Sequence, residues 1–243
     1  MINKQDRRLY MPQVDYRARL RPMSTALNAD GGHDVLGPQN STNILFPLWS
    51  TEGVLFPYTP SLATGNVVDY DPSAFIHTNY GYNAYIRSYP KPISITAEFT
   101  AQTNEEALYL LAVIHFFRSV TKSYFGINPY NKAGTPPPPL KFNYLGDYQF
   151  NNVPVIVKNF DYTYPANIDY VPVSTIDLSA DNDFRTSTYS VDLPPSDANG
   201  YTYVPTHLSV SLEMDMQYTP IKVRNEFNLD LFRQGKLLNK GYI

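Results

Sequence analysis

Ile93-Ser94-Ile95-Thr96-Ala97-Glu98-Phe99-Thr100-Ala101-Gln102-Thr103-Asn104-Glu105-Glu106 is the stretch on which the fold turns. In its first half Ile93, Ile95, Ala97 and Phe99 alternate with Ser94, Thr96, Glu98 and Thr100. Successive side chains of a strand point to opposite faces, so this pattern predicts a strand with one buried and one wet side. In its second half Thr103 and Glu106 have the spacing of a capping box, in which the Thr103 hydroxyl accepts from the Glu106 amide and the Glu106 carboxylate returns the bond. A helix is expected to start there. Ala107, Leu110, Leu111, Ile114 and Phe117 follow at three- and four-residue spacing, Leu108, Val113 and Phe116 widen the stripe, and Arg118 and Lys122 sit near the negative end of the macrodipole. The helix is predicted over residues 104–122.

Toward the C-terminus, Gly134 and the run Pro136 to Pro139 read as an extended spacer, followed by strands over 140–145 and 150–164. The apolar set in the second strand shifts phase, from Val153, Val155 and Val157 to Phe160, Tyr162 and Tyr164, which predicts a bulge near Lys158 and Asn159. Residues 174–200 are rich in Asp, Ser, Thr and Pro and read as a long exposed excursion. The cleanest alternation covers 207–218, with Leu208, Val210, Leu212, Met214, Met216 and Tyr218 on one side and His207, Ser209, Ser211, Glu213, Asp215 and Gln217 on the other. A short helix over 228–234, stopped by Gly235, falls within a C-terminal extension over 221–243.

Toward the N-terminus, residues 1–45 read as an arm carrying one strand over 14–20 and a loop over 28–43, and residues 46–243 as the main body. Between 44 and 60 the apolar residues are punctuated by Pro47, Gly53, Pro57 and Pro60, so strands there must be short or at an edge. The stretch 77–89 is aromatic without a clear period. In the first 21 residues Lys4, Arg7, Arg8, Arg17, Arg19 and Arg21 outnumber Asp6 and Asp15, although the whole chain carries a net charge of −3. Arg7, Arg8, Arg17, Arg19 and Arg21 are candidates for docking onto an acidic partner or nucleic acid; the other reading is a solvated terminal strand.

The chain has 243 residues, 43% of them hydrophobic and 17% charged, which is enough for one sizeable core but light on charge for a freely soluble monomer. Its 21 Tyr, 13 Phe and 21 Pro favour half-buried pleated surfaces with irregular connections. The fold class predicted is α+β, mainly β. The absence of cysteine excludes a disulfide framework and thiolate metal sites and fits assembly in a reducing cytoplasm. No secretion signal or apolar run long enough to span a membrane is visible. His33, His77, His115 and His207 have no metal-site spacing, and His115, between Ile114 and Phe116, reads as a structural histidine. Glu105 and Glu106 are better explained by capping than by acid–base work. Nucleophile-elbow, P-loop and dinucleotide-binding motifs are missing, so neither an enzyme nor a cofactor nor a metal is expected.

Three stretches together resemble the tail-tube initiator and tube-cap proteins that join baseplate to tail tube in contractile-tailed bacteriophages. The first is Thr51-Glu52-Gly53-Val54-Leu55-Phe56-Pro57-Tyr58-Thr59-Pro60 with His77-Thr78-Asn79-Tyr80 beyond it. The second is the strand, capping box and helix already quoted, continuing to Lys122. The third is Gly134-Thr135-Pro136-Pro137-Pro138 with Phe150-Asn151-Asn152-Val153-Pro154-Val155 and Asp169-Tyr170-Val171. The resemblance covers most of residues 45–172.

It implies a tail-tube-like antiparallel β-sandwich or barrel packed on one long helix, with an extended N-terminal arm and long loops. It further implies a homo-hexameric ring around a lumen, docked on the baseplate hub protein and on the adjacent tail tube ring, with the tape-measure protein and sheath as further neighbours. DNA would be a partner only in transit, and no membrane would be involved. Glu98, Glu213 and Asp215 would then face the lumen, where carboxylates repel phosphate and let DNA slide; the alternative is that they face ordinary solvent or a neighbouring subunit. A competing class is a Tyr-rich β-sandwich that binds carbohydrate or a receptor, since aromatic surfaces serve sugars as well as proteins.

Overall fold

The computed structural model describes residues 16–24, 32–39, 43–73, 76–125, 134–174 and 201–243. In chain order they form β1 (Arg19–Pro22), β2 (Gly32–His33), β3 (Gly37–Pro38), a 3-10 turn (Phe46–Trp49), β4 (Val54–Leu55), β5 (Ser61–Ala63), β6 (Asn66–Ser73), β7 (Tyr82–Pro90), β8 (Ile93–Thr100), α1 (Asn104–Val120), β9 (Leu140–Tyr144), β10 (Phe150–Thr163), β11 (Tyr170–Ser174), β12 (Tyr201–Pro205), β13 (His207–Met216), α2 (Pro220–Glu226), α3 (Leu229–Arg233) and a closing 3-10 turn (Leu238–Lys240). The architecture is α+β and mainly β, built on one antiparallel sheet of seven strands in the order β4-β1-β9-β10-β13-β8-β5.

The two edges of that sheet lie close together in sequence. Only six residue steps separate Leu55 at the end of β4 from Ser61 at the start of β5, which at full extension reach about 21 Å. Seven flat strands would hold their edges about 29 Å apart, so the sheet has to curl. Side chains cross the curl. The Phe56 ring, just past the first strand of the order, meets Phe99 of the sixth at 5.6 Å between centroids, and the Tyr144 hydroxyl of β9 donates to the Pro60 carbonyl at 3.2 Å.

Inside the curl the alternating strands supply Leu20, Ile93, Ile95, Phe99, Leu140, Phe142, Val153, Val155, Leu208, Val210, Leu212 and Met214 to one continuous apolar cluster, which α1 closes. The helix starts where its capping box predicts: the Glu106 amide donates to Thr103 Oγ1 at 3.3 Å, and Glu106 Oε2 accepts from the Thr103 amide at 3.4 Å. Ala112, Val113, Ile114, Phe116 and Phe117 are all buried, more than an amphipathic stripe provides, because β11, β12 and the first 3-10 turn cover the helix on its other side. Tyr109 ties α1 to the sheet edge, its hydroxyl accepting from the Leu55 amide at 2.8 Å and donating to the Leu55 carbonyl at 3.1 Å. Replacing Thr103 with alanine removes the cap and should cost about 1 kcal/mol in chemical denaturation without shifting the sheet.

The structure revises several expectations. Of the N-terminal strand expected over 14–20, residues 14 and 15 lie outside the described residues; the strand runs over Arg19–Pro22, with backbone pairing already begun at the Tyr16 and Ala18 carbonyls, and it lies between β4 and β9. His115 lies on the exposed side of α1; partial burial, with the Arg118 guanidinium second, holds it below its ordinary pKa. The C-terminal extension has two helices, α2 and α3, where one was expected. Pro220 starts α2 at its first position behind the Thr219 cap, a place where a missing N–H costs nothing. Burial pushes the Tyr218 phenol up to about 12; its ring stacks on Tyr242 at 5.1 Å and anchors the extension.

Two longer hairpins lie outside the seven-stranded sheet, the first packed on α1 and the second projecting from the sheet. β11 and β12 pair from Tyr170↔Pro205 to Ser174↔Tyr201, so the segment between them departs and returns at one point; residues 175–200 lie outside the described residues. β6 and β7 form a two-stranded ribbon continuing the β5–β8 pairing outward. Eight residues per strand carry it about 26 Å beyond the sheet. Among the described residues no helix is long and apolar enough to cross a membrane.

Candidate functional site

The face of the sheet opposite α1 is polar, and register fixes what meets there. In β8 and β13 the cross-strand pairs are Thr96 with Ser211, Glu98 with Ser209 and Ser94 with Glu213. Directly opposed residues share a face, so Glu98, Glu213 and Asp215 come together on one surface otherwise made of serine and threonine. Glu98 and Glu213 are separated by about four residues along the strand, roughly 13 Å.

β10 completes this surface, and its bulge decides what it contributes. The register between β10 and β13 slips between Val157 and Asn159, so Val153 and Val155 point into the core before the slip while Lys158, Asn159 and Asp161 are exposed after it. Lys158 is the extra residue. Its Nζ lies 3.3 Å from Asp215 Oδ2 and 4.0 Å from Glu213 Oε1. His207 Nε2 approaches Glu98 Oε2 at 3.6 Å. Asp161, which accepts from Asn159 Nδ2 at 2.6 Å, adds a fourth carboxylate. The phase shift in the sequence locates the bulge, but not the cation it brings to the acidic cluster or the added acid. These side chains are partly exposed, so the ion pairs contribute little to stability and mainly set local charge.

The other half of the same face is basic. In β1, Ala18, Leu20 and Pro22 point inward, which turns Arg17, Arg19 and Arg21 outward. All three line one surface pocket of about 220 Å³ together with Asn143, Asp147 and Asn151. Arg21 is held there by Glu52 Oε2 at 3.2 Å and Asn143 Oδ1 at 3.1 Å. The pairing of Arg21 with Lys141 extends the basic strip to β9. Three strand spacings, about 14 Å, separate β1 from β13. The outer face is therefore electrically polarised across the strands, with arginines toward β4 and carboxylates toward β5. Arg7 and Arg8, the other proposed docking residues, lie outside the described residues.

Nothing on this surface converges as a catalytic constellation does. Its carboxylates are spread along strands and meet a lysine and a histidine rather than an enclosed polar pocket, and among the described residues no group of three metal-binding side chains occurs. The arrangement can repel or guide a polyanion and can pair with an oppositely charged face. No protein-family model matches the chain, and no curated protein matches it.

Proposed function

We propose that this chain is a structural virion protein of a contractile phage tail, a tube initiator or tube cap that forms a hexameric ring where baseplate and tail tube meet. The observation that carries the reading is the curled antiparallel sheet with α1 on one face and a Ser/Thr/carboxylate surface on the other. Six copies set side by side present that surface to a central lumen, with the region around Glu98, Glu213 and Asp215 lining the path of DNA. Its carboxylates keep phosphate from adhering. In this role the ring meets the hub on one side and the first tube ring on the other, with the tape-measure protein inside and the sheath outside, and it performs no catalysis and holds no cofactor.

Light scattering and negative-stain imaging of the purified protein, alone and with the cognate hub and tube proteins, test the reading. Six-fold rings, formed alone or on the hub and then nucleating tube, are the expected result; a monomer inert to both partners overturns it. Reversing charge at Glu98, Glu213 and Asp215 to lysine should leave the ring intact and slow DNA ejection from assembled particles, with the defect relieved by added salt. Unchanged ejection removes these residues from the lumen.

A second reading is favoured by the exposed tyrosines of the β6–β7 ribbon, Tyr70, Tyr82, Tyr85 and Tyr89, which suit a carbohydrate as well as a protein. Glycan binding by a stable monomer would select it.

A further inference from the structure

Exposed apolar surface is concentrated in two segments of this chain. Of the 22 large hydrophobic side chains that stand exposed among the described residues, eight belong to the β6–β7 ribbon and its turn and five to the C-terminal helices. On the ribbon these include Tyr70 (54% exposed), Tyr82 (62%), Tyr85 (60%) and Ile86 (58%), and on the helices Ile221 (74%) and Leu229 (52%). A two-stranded ribbon with both faces in water is marginal by itself, and its two long outer edges are open to pairing. Taking about 200 Å² for a whole tyrosine, the exposed apolar side chains of the ribbon amount to on the order of 900 Å² over both faces and the turn, so a partner seated on one face covers about half of that, the low end of specific interfaces.

The two segments also differ in charge. The ribbon carries Asp69 and Asp71 against Arg87, which is committed to Asp69 through a 2.7 Å contact, so Asp71 is left as its net charge. The C-terminal segment from Pro220 carries Lys222, Arg224, Arg233, Lys236 and Lys240 against Glu226 and Asp230. An acidic aromatic ribbon and a basic apolar helix pair are thus displayed by the same chain at the same time, neither covering the other.

We infer that the β6–β7 ribbon of one copy docks on the α2–α3 face of a second copy. Aromatic side chains of the ribbon cover Ile221 and Leu229, and the net negative charge of the ribbon lies over Arg224, since Lys222 is turned back onto the Lys240 carbonyl and the Tyr242 ring. Because the two surfaces are different, the contact is head-to-tail: each copy offers one ribbon and one helix face, and the chain of contacts either closes into a ring or continues as a filament. The inference rests on the reading of the protein as a ring subunit and supplies the contact that joins its copies.

The absence of cysteine makes the test clean. Asn83→Cys on the ribbon and Asn225→Cys on α2 both replace exposed polar residues, so the full-length variants should unfold thermally with the parent protein. Mixed and treated with a short bismaleimide, the two should give a cross-linked dimer that neither gives alone, and the double variant should give a ladder of products. A ladder ending at six supports both the contact and the ring; a ladder without limit supports the contact and removes the six-fold ring. Six-fold rings without ribbon-to-helix cross-links overturn the inference and leave the ring reading standing. Cross-linking of Asn83→Cys with itself, protection of the ribbon only by the hub protein, or a monomer at every concentration each overturns the inference. As an independent measurement, replacing both Tyr70 and Tyr85 with serine, whose rings meet edge-on at 6.0 Å in solvent, should weaken self-association by about tenfold or more. Added salt should weaken it further.

Discussion

Gly53→Ala is expected to lower the stability of the protein by about 4 kcal/mol or more, beyond the usual range for a single substitution. Gly53 has φ +135, outside the conformations that side-chain-bearing residues adopt, and a Cβ added there falls 2.3 Å from the Leu20 carbonyl oxygen and 3.0 Å from the Arg21 Cα. Both obstacles are backbone, so no rotamer change relieves them. The only escape is to move β4 away from β1, which gives up the pairs Arg19↔Leu55 and Leu20↔Val54 and disturbs the fully buried Val54 and Phe56. Gly146→Ala is the control. Its φ is also positive, at +89, but nothing lies within 4 Å of the added atom, so only the backbone term of about 1 kcal/mol remains. Equal losses for the two variants in urea denaturation would show that the close approach at Gly53 is unimportant.

Phe117→Ala should cost about 3–5 kcal/mol, the range for removing a buried phenyl ring. Phe117 is fully buried, stacks on Phe160 of β10 at 5.0 Å and meets Phe116 edge-on at 5.5 Å. Both neighbours are held by rigid elements, so the cavity has little chance to collapse. Phe125→Ala, at a side chain 91% exposed, should lie within about 0.5 kcal/mol of the parent. The contrast in denaturation midpoint checks that the helix–sheet contact, rather than aromatic content, carries stability. A loss at Phe117 no larger than at Phe125 would contradict the packing described.

The parts of the fold that could be read from the sequence are those buried on one side. β8 and β13 follow their alternation through Phe99 and Leu212, α1 begins at its capping box, and the phase slip near Lys158 marks the bulge, because in each case burial imposes a period on the residues. The ribbon imposes none: in β7, eight of nine residues are exposed, so its tyrosines occur on both faces and read only as an aromatic stretch. α2 was hidden by Pro220, which stops a helix from within but starts one at its first position. The acidic half of the polar face was legible residue by residue from β8 and β13. Its lysine was not, since the bulge rather than the alternation turns Lys158 toward Asp215. The arginines at 17, 19 and 21 alternate as plainly as the apolar residues of β8, yet what they share, a pocket with Asn143 and Asn151, depends on a strand more than a hundred residues away.

The strand order also constrains the time course of synthesis. β13 sits between β10 and β8 near the middle of the sheet, yet it is made after both, and β1 must wait for β9 before it has its inner neighbour. Pairings between such distant segments carry a large loop-closure cost and fold slowly. A nascent chain that has emerged only as far as β10 has α1 and the β6–β7 ribbon available but lacks the strand that joins the two halves of the sheet. Until residue 216 has been synthesised, then, the sheet cannot form as a whole, and completion of the core is separated in time from synthesis of most of its strands by the chain's own connectivity.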